Sequence, residues 1–237
     1  MKKNIFYIMA LALLTFGFTA CEKQSENKTK ITAYAVIELE GEAFEIVALN
    51  SSYTEPGYSA VMNGEDVTDQ VVVTGAVDVT KSGIYTPIYT VVNPEGFAAS
   101  ASRKVVVIDP ANPIEGYWTV DPSSTRTYKG TTTTFDSAFE TLIIDNGDGT
   151  IYVEDLFAGW YSQLYEYGED YNMNAYLSVA ADGTLGLLKS LVPGWGDGAN
   201  SIDGKWDATA KTISYKMVYY GTMEFNITFN NKVDKGL

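Results

Sequence analysis

KTISYKMVYYGTMEFNITF, running from Lys211 to Phe229, decides how this chain folds. In its first half Ile213, Tyr215, Met217 and Tyr219 share one face of an extended strand, with Ser214, Lys216, Val218 and Tyr220 on the other. Beyond Gly221, Met223, Phe225, Ile227 and Phe229 share a face against Glu224, Asn226 and Thr228. A period of two marks antiparallel strands buried on one side and wet on the other. The stretch reads as a hairpin with one dry face.

The same pattern extends outward along the chain. ETLIID (140–145), TIYVEDL (150–156) and AYLSVAA (175–181) are short apolar or β-branched runs. DNGDGT (145–150) and AADGT (180–184) follow or join them, and Asp-Gly tolerates the positive φ that twisted hairpins need. DNGDGT lacks the EF-hand spacing of oxygen ligands and glycine, so it reads as a turn and not a calcium loop. No segment after the first twenty residues reads as a helix of three turns. The expected class is all-β, with the second half closing as an antiparallel barrel or sandwich.

Pro110 and Pro113 in VIDPANPIEG (107–116) stiffen an extended connection and divide the fold. The reading is a sandwich over 31–109, a linker over 110–113 and a barrel or sandwich over 114–237. Within the first part IYTPIYTVV (84–92) reads as one central strand, with Pro87 forced to an edge or bulge. NPEG (93–96) reads as the turn that follows it.

The landmarks Glu55-Pro56-Gly57, Gly64 with Asp66-Val67-Thr68, Val77-Asp78, Gly83-x-Tyr85 and Arg103-Lys104-Val105-Val106-Val107 resemble bacterial immunoglobulin-like repeats of surface proteins. That resemblance implies an Ig-like β-sandwich acting as a spacer. Ile114-x-Gly116-x-Trp118, Gly149-x-Ile151-Tyr152, Gly159-Trp160-Tyr161, Trp206-Asp207 and Thr212-Ile213-Ser214-Tyr215 resemble the C-terminal half of Bacteroidetes lipoproteins. In those proteins a lipocalin-like β-domain of unassigned activity follows an Ig-like module, often beside polysaccharide-uptake systems. The resemblance implies a carbohydrate-related role at the outer membrane.

The front end agrees with export. Lys2 and Lys3 precede the apolar run Ile5–Phe18, with Thr19 and Ala20 before Cys21, which is the pattern of a secretory signal over 1–20. Fourteen residues rise about 21 Å as a helix, short of a bilayer core of about 30 Å. FTAC resembles the lipobox of bacterial lipoproteins, which makes Cys21 the expected site of lipid attachment. Two acyl chains there anchor a protein stably. The polar segment 21–30 reads as a flexible tether. The expected location is the cell envelope, as an outer-membrane lipoprotein exposed at the surface.

With 16 basic against 30 acidic residues the net charge is −14, which disfavours nucleic acid as a partner. There is no histidine, and the single cysteine is Cys21, so Ser-His-Asp, Cys-His and His-zinc chemistry are excluded. A two-carboxylate glycosidase is the surviving enzymatic class, but the adjacent pairs Glu154-Asp155 and Glu169-Asp170 point to opposite faces of a strand. No catalytic residue, metal site or cofactor is assigned. Glu65, Asp66 and Asp69 form a cluster of hard oxygens that could ligate Ca²⁺, but such acids more often cap a turn and face water, and no calcium is expected. Asp136-Ser137-Ala138 resembles the Bacteroidetes O-glycosylation acceptor, which implies modification at Ser137.

FAGWYSQLYEYGEDY (157–171) carries the functional question. In an unbroken strand Phe157, Tyr161, Tyr165, Tyr167 and Tyr171 share a face, and the plain reading is a buried aromatic stripe. The sharper reading takes Trp160 and Tyr161 as a stacking platform for sugar rings, with Gln163 and Glu166 bonding their hydroxyls. PGWGDGANSIDGKWD (193–207) reads as a glycine-rich functional loop contributing Trp195 and Asp197. Trp206 is expected to open the next strand and pack inward. The candidate ligand set is therefore Trp195, Trp160, Tyr161, Gln163, Glu166 and Asp197. Two functions stand: non-catalytic glycan binding, or a structural subunit docking on an outer-membrane protein.

Overall fold

The computed structural model describes residues 32–237. The signal segment, Cys21 and the tether lie outside the described residues. The first part contains β1 (Val36–Leu39), β2 (Phe44–Ala48), β3 (Tyr58–Met62), β4 (Glu65–Asp66), β5 (Val72–Thr74), β6 (Gly83–Tyr85), β7 (Ile88–Val92), β8 (Ala98–Ser102) and β9 (Lys104–Ile108). They pair as three small sheets, β1-β3-β4, β2-β9-β6 and β5-β7-β8, with β2 parallel to β9. Ala35, Ala60, Val67 and Val91 pack between them, and the Tyr58 and Tyr89 rings meet at 4.9 Å.

Arg103, at the junction of β8 and β9, is fully buried and fastens this sandwich. Its guanidinium reaches Glu55 at 3.0 Å and Glu45 at 3.4 Å, and donates to the carbonyls of Glu40, Glu42 and Gly57. A buried charge is tolerable only when its donors are used in this way.

IYTPIYTVV is not one strand. Thr86 and Pro87 separate β6, which pairs with β9, from β7, which pairs with β5 and β8. Proline cannot donate to a ladder, and here the chain uses that gap to change sheets. The following turn forms as its residues dictate: Gly96 takes φ 90° and its N–H bonds the Asn93 carbonyl at 2.9 Å.

The second part contains β10 (Gly116–Val120), β11 (Thr125–Tyr128), β12 (Thr131–Thr134), β13 (Glu140–Asp145), β14 (Thr150–Val153), β15 (Asn174–Val179), β16 (Thr184–Leu191), β17 (Ser201–Asp207), β18 (Thr212–Tyr219) and β19 (Met223–Lys232). β10, β13 to β19 in sequence, and β10 again form a closed antiparallel ring of eight strands, because β19 also pairs with β10. The hairpin β11-β12 hangs from β19 through the pairing of Thr125 with Asn226 and Arg126 with Phe225.

The hairpin that opened the sequence reading is β18-β19. Ile213, Tyr215, Met217, Tyr219, Met223, Phe225, Ile227 and Phe229 all point inward and are buried. Eight strands leave an interior just wide enough for side chains. Here that interior is filled: Trp118 meets Trp206 edge-on at 5.7 Å, and Phe135, Phe157 and Phe225 surround Trp160 and its neighbours.

PGWGDGANSIDGKWD is only half a loop. Its second half is β17, and Trp206 lies near the end of that strand, not at its start, though it does pack inward. Gly204 explains the disguise: a Cβ there would meet the Tyr215 Cβ at 2.5 Å, so only glycine lets β17 approach β18 at that register.

The sandwich and barrel share one apolar seam. Val106 and Ile108 pack on Tyr117, Leu142 and Ile144, flanked by Ile46, Ile84, Tyr152 and Val233. Lys104 on β9 reaches across to Glu154 at 2.9 Å and Glu169 at 3.3 Å. The connection between the parts is itself bonded, Asp109 N–H to Glu115 Oε1 at 2.8 Å and Asn112 Nδ2 to Asp145 Oδ2 at 2.8 Å.

Candidate functional site

With the lumen filled, any ligand must meet the barrel at its surface, and the loops at one mouth carry most of the exposed rings. The segment from Asp155 to Met173, between β14 and β15, caps this mouth as a lid. It is not a strand. A π-helical turn covers Trp160–Leu164 and a 3₁₀ turn covers Glu169–Tyr171.

Asp155 builds the lid. Its carboxylate is fully buried, and it accepts the N–H of Phe157 at 2.9 Å, Gly159 at 2.8 Å and Met173 at 2.9 Å, with Ser162 Oγ at 3.3 Å. Burial pushes its pKa up to about 6, while those four donors pull it back. The lid closes at its base through Leu156 N–H to the Met173 carbonyl at 2.9 Å, and the Tyr215 hydroxyl donates to the Leu156 carbonyl at 2.8 Å. Gly159 turns the chain at φ 87°, where a Cβ would strike Phe139 at 2.5 Å.

This turn reverses the sequence reading of Trp160. Its side chain is 1% exposed and plugs the barrel against Phe135 at 4.8 Å, so it supports the surface from below and does not face a ligand. A strand would have alternated the faces; the π turn instead drives Trp160 inward and leaves its neighbours at the rim. Its Nε1 has no hydrogen-bond partner among the described residues.

Tyr161 and Trp195 do come together, edge-on at 4.9 Å. From there an aromatic band crosses three loops. Tyr165 lies 6.0 Å from Tyr167, Tyr167 lies 5.3 Å from Tyr171, and Tyr171 lies 5.1 Å from Trp195. Trp195 lies 6.4 Å from Tyr219, which abuts Tyr220 at 4.7 Å. Tyr165 and Tyr167 are each 52% exposed, Trp195 39% and Tyr220 68%.

The polar candidates divide. Glu166 stands exposed in a left-handed backbone conformation at φ 56°. Gln163 is committed to the Glu140 backbone, donating from Nε2 to its carbonyl at 2.8 Å and accepting its N–H at 3.3 Å. Asp197 accepts the Tyr219 hydroxyl at 2.9 Å, and its charge together with burial pushes that hydroxyl well above the usual tyrosine range. Asp197 therefore braces the band. Tyr167, Tyr171 and Tyr220 were missed as candidates; Tyr220 is the easiest to have found, because a ring at the tip of a tight hairpin has little to bury it.

Elsewhere, Ser137 is half-buried beside Asp136, whose carboxylate accepts the Thr134 hydroxyl at 2.6 Å. Asp66 accepts the Thr68 N–H at 2.9 Å, a turn-capping role. Two grooves lie away from the rim: one of about 620 Å³ between the interdomain connection and the Lys232–Leu237 segment, and one of about 590 Å³ along β17 to β19 beside Asp203, Ser214 and Asn226. The rim is an open platform.

Known proteins now set this geometry in a family. The model of the bacterial surface protein Ig-like domain matches residues 37–107, and a C-terminal-domain family model matches residues 108–231. The crystal structure of lipoprotein BT2262 from Bacteroides thetaiotaomicron is 35% identical, with a TM-score of 0.62, and the match covers 84% of this chain and 100% of that one. The chain belongs to the family of this lipoprotein. Here a surface Ig-like domain precedes the closed barrel, and kinship with a lipoprotein places this chain among cell-envelope lipoproteins. Two ZmpB structures from Clostridium perfringens, one of the M60 catalytic domain with CBM51 domains and one of CBM51-2 with GlcNAc, align at 16% and 10% identity. They cover 51% and 85% of this chain and 15% and 44% of theirs, at TM-scores of 0.27 and 0.26, too low to carry an argument. No curated protein matches the chain.

Proposed function

We propose that this lipoprotein is a non-catalytic surface receptor that holds a glycan against the aromatic band of its barrel rim, anchored by lipid at Cys21 in the outer membrane and facing outward. The observation that carries this reading is the continuity of the band: Tyr165, Tyr167, Tyr171 and Trp195 come from two separate loops yet form one line of neighbouring rings at the rim, with exposed Tyr220 on a third loop joined to it through buried Tyr219. Sugar rings stack their C–H faces on such rings, while Glu166 and backbone groups nearby supply partners for hydroxyls. Rings on rigid loops lose little entropy on binding.

The test is a glycan array followed by calorimetric titration of the best ligand. The paired variant Trp195→Ala with Tyr167→Ala is expected to weaken binding at least about tenfold, each stacked ring being worth on the order of 1 kcal/mol. Its melting temperature should stay near that of the wild type. If no glycan binds, while the same variant loses co-purification with an outer-membrane protein, the band is a docking surface and the glycan reading falls.

A further inference from the structure

The aromatic band ends at a basic corner. Arg126 on β11 lies 5.5 Å from the Trp160 ring and 5.1 Å from the Tyr128 ring, and Lys129 lies 5.1 Å from that same Tyr128 ring. Arg126 Nε reaches Met223 Sδ at 3.2 Å, and the Tyr161 hydroxyl meets the same sulfur at 3.4 Å. The guanidinium therefore stands next to Tyr161, one ring away from Trp195.

Arg126 has no carboxylate within 4 Å among the described residues, in a chain carrying 30 acids. Two acids on or beside the neighbouring strands are engaged elsewhere. Glu224, which pairs with Thr127 across the β11–β19 register, is bound to Lys216 at 2.7 Å, and Asp136 accepts the Thr134 hydroxyl at 2.6 Å. Two cations flanking one ring without an acid repel each other, and a half-buried guanidinium has given up water for weak partners. An arginine fork next to stacking rings is the geometry that recognises a planar carboxylate on a saccharide.

We propose that the rim selects acidic saccharides, with a uronate- or sialate-type carboxylate on Arg126, Lys129 adding long-range attraction, and the sugar ring against Tyr161 and Trp195. This rests on the glycan reading above and names its ligand class.

The experiment arrays oligogalacturonates, glucuronoxylan oligomers and sialyllactose, each beside its carboxyl-reduced form, on the full-length protein. The carboxylated form of the bound glycan is expected to bind about tenfold more tightly than its reduced partner, with the preference shrinking as salt rises. Arg126→Gln should erase the preference, Arg126→Lys should restore part of it, and Lys129→Gln, at an exposed turn, should reduce it without disturbing the fold. Equal binding of both forms, or a preference that survives Arg126→Gln and Lys129→Gln, overturns the inference; if Trp195→Ala still abolishes that binding, the aromatic reading stands. Binding of no glycan at all overturns both.

Discussion

Both oxygens of Asp155 are spent on the lid they organise, and a residue so placed has two measurable consequences. Its pKa is raised from 3.8 to about 6 by burial, so the folded protein holds a proton there that the unfolded chain has lost. The stability this confers is complete below about pH 4 and disappears as pH climbs through about 6, a change of about 3 kcal/mol. Thermal melts across pH 4–7 should show that decline, and Asp155→Asn should flatten it. The same substitution turns an amide nitrogen toward the Gly159 N–H and the Ser162 hydroxyl, costing about 1–3 kcal/mol. If Asp155→Asn melts like the wild type at pH 4, where the ionisation penalty is absent, this carboxyl group does not hold the lid. Little around Asp155 in the sequence marks it, since the Met173 N–H that completes its set of donors lies eighteen residues further along the chain. Trp160 read as a platform, and Tyr165, Tyr167 and Tyr171 as a buried stripe, because both readings assumed an unbroken strand where the chain turns, whereas Trp195, bracketed by glycines, was legible as exposed.

Among the elements, the lid and the β18-β19 hairpin show what sequence can and cannot carry. The hairpin was readable because side chains alternate at a fixed period and every inward position is apolar. The lid was not, because its shape depends on four residues of positive φ, Ala158 at 53°, Gly159 at 87°, Glu166 at 56° and Gly168 at 89°. Gly159→Ala is expected to destabilise the protein by about 2–4 kcal/mol, from left-handed strain and the clash with Phe139 together. Denaturant melts monitored by tryptophan fluorescence would measure it, and an unchanged midpoint would mean the π turn can be rebuilt. Pro87 taught a related lesson: read as a bulge within one strand, it marks the place where the chain passes from one sheet to another, a distinction that depends on partners far away in sequence.

At the scale of the whole molecule, the apolar seam makes sandwich and barrel one body. Ile144→Asp should leave an unpaired charge in that seam, and calorimetry is expected to resolve two transitions where the wild type shows one. A single transition in the variant would mean the linker contacts suffice. Cys21→Ser, judged by acyl mass and fractionation, should release the protein from the membrane. The closure of the ring carries a further consequence. Thr119 on β10 meets Asn231 on β19, 112 residues later, so the first and last staves of the barrel join only when both are present. A chain synthesised from its N-terminus thus keeps an open edge until β19 is made. Such a barrel closes last of all, and until then its exposed strand edge is open to pairing with another chain.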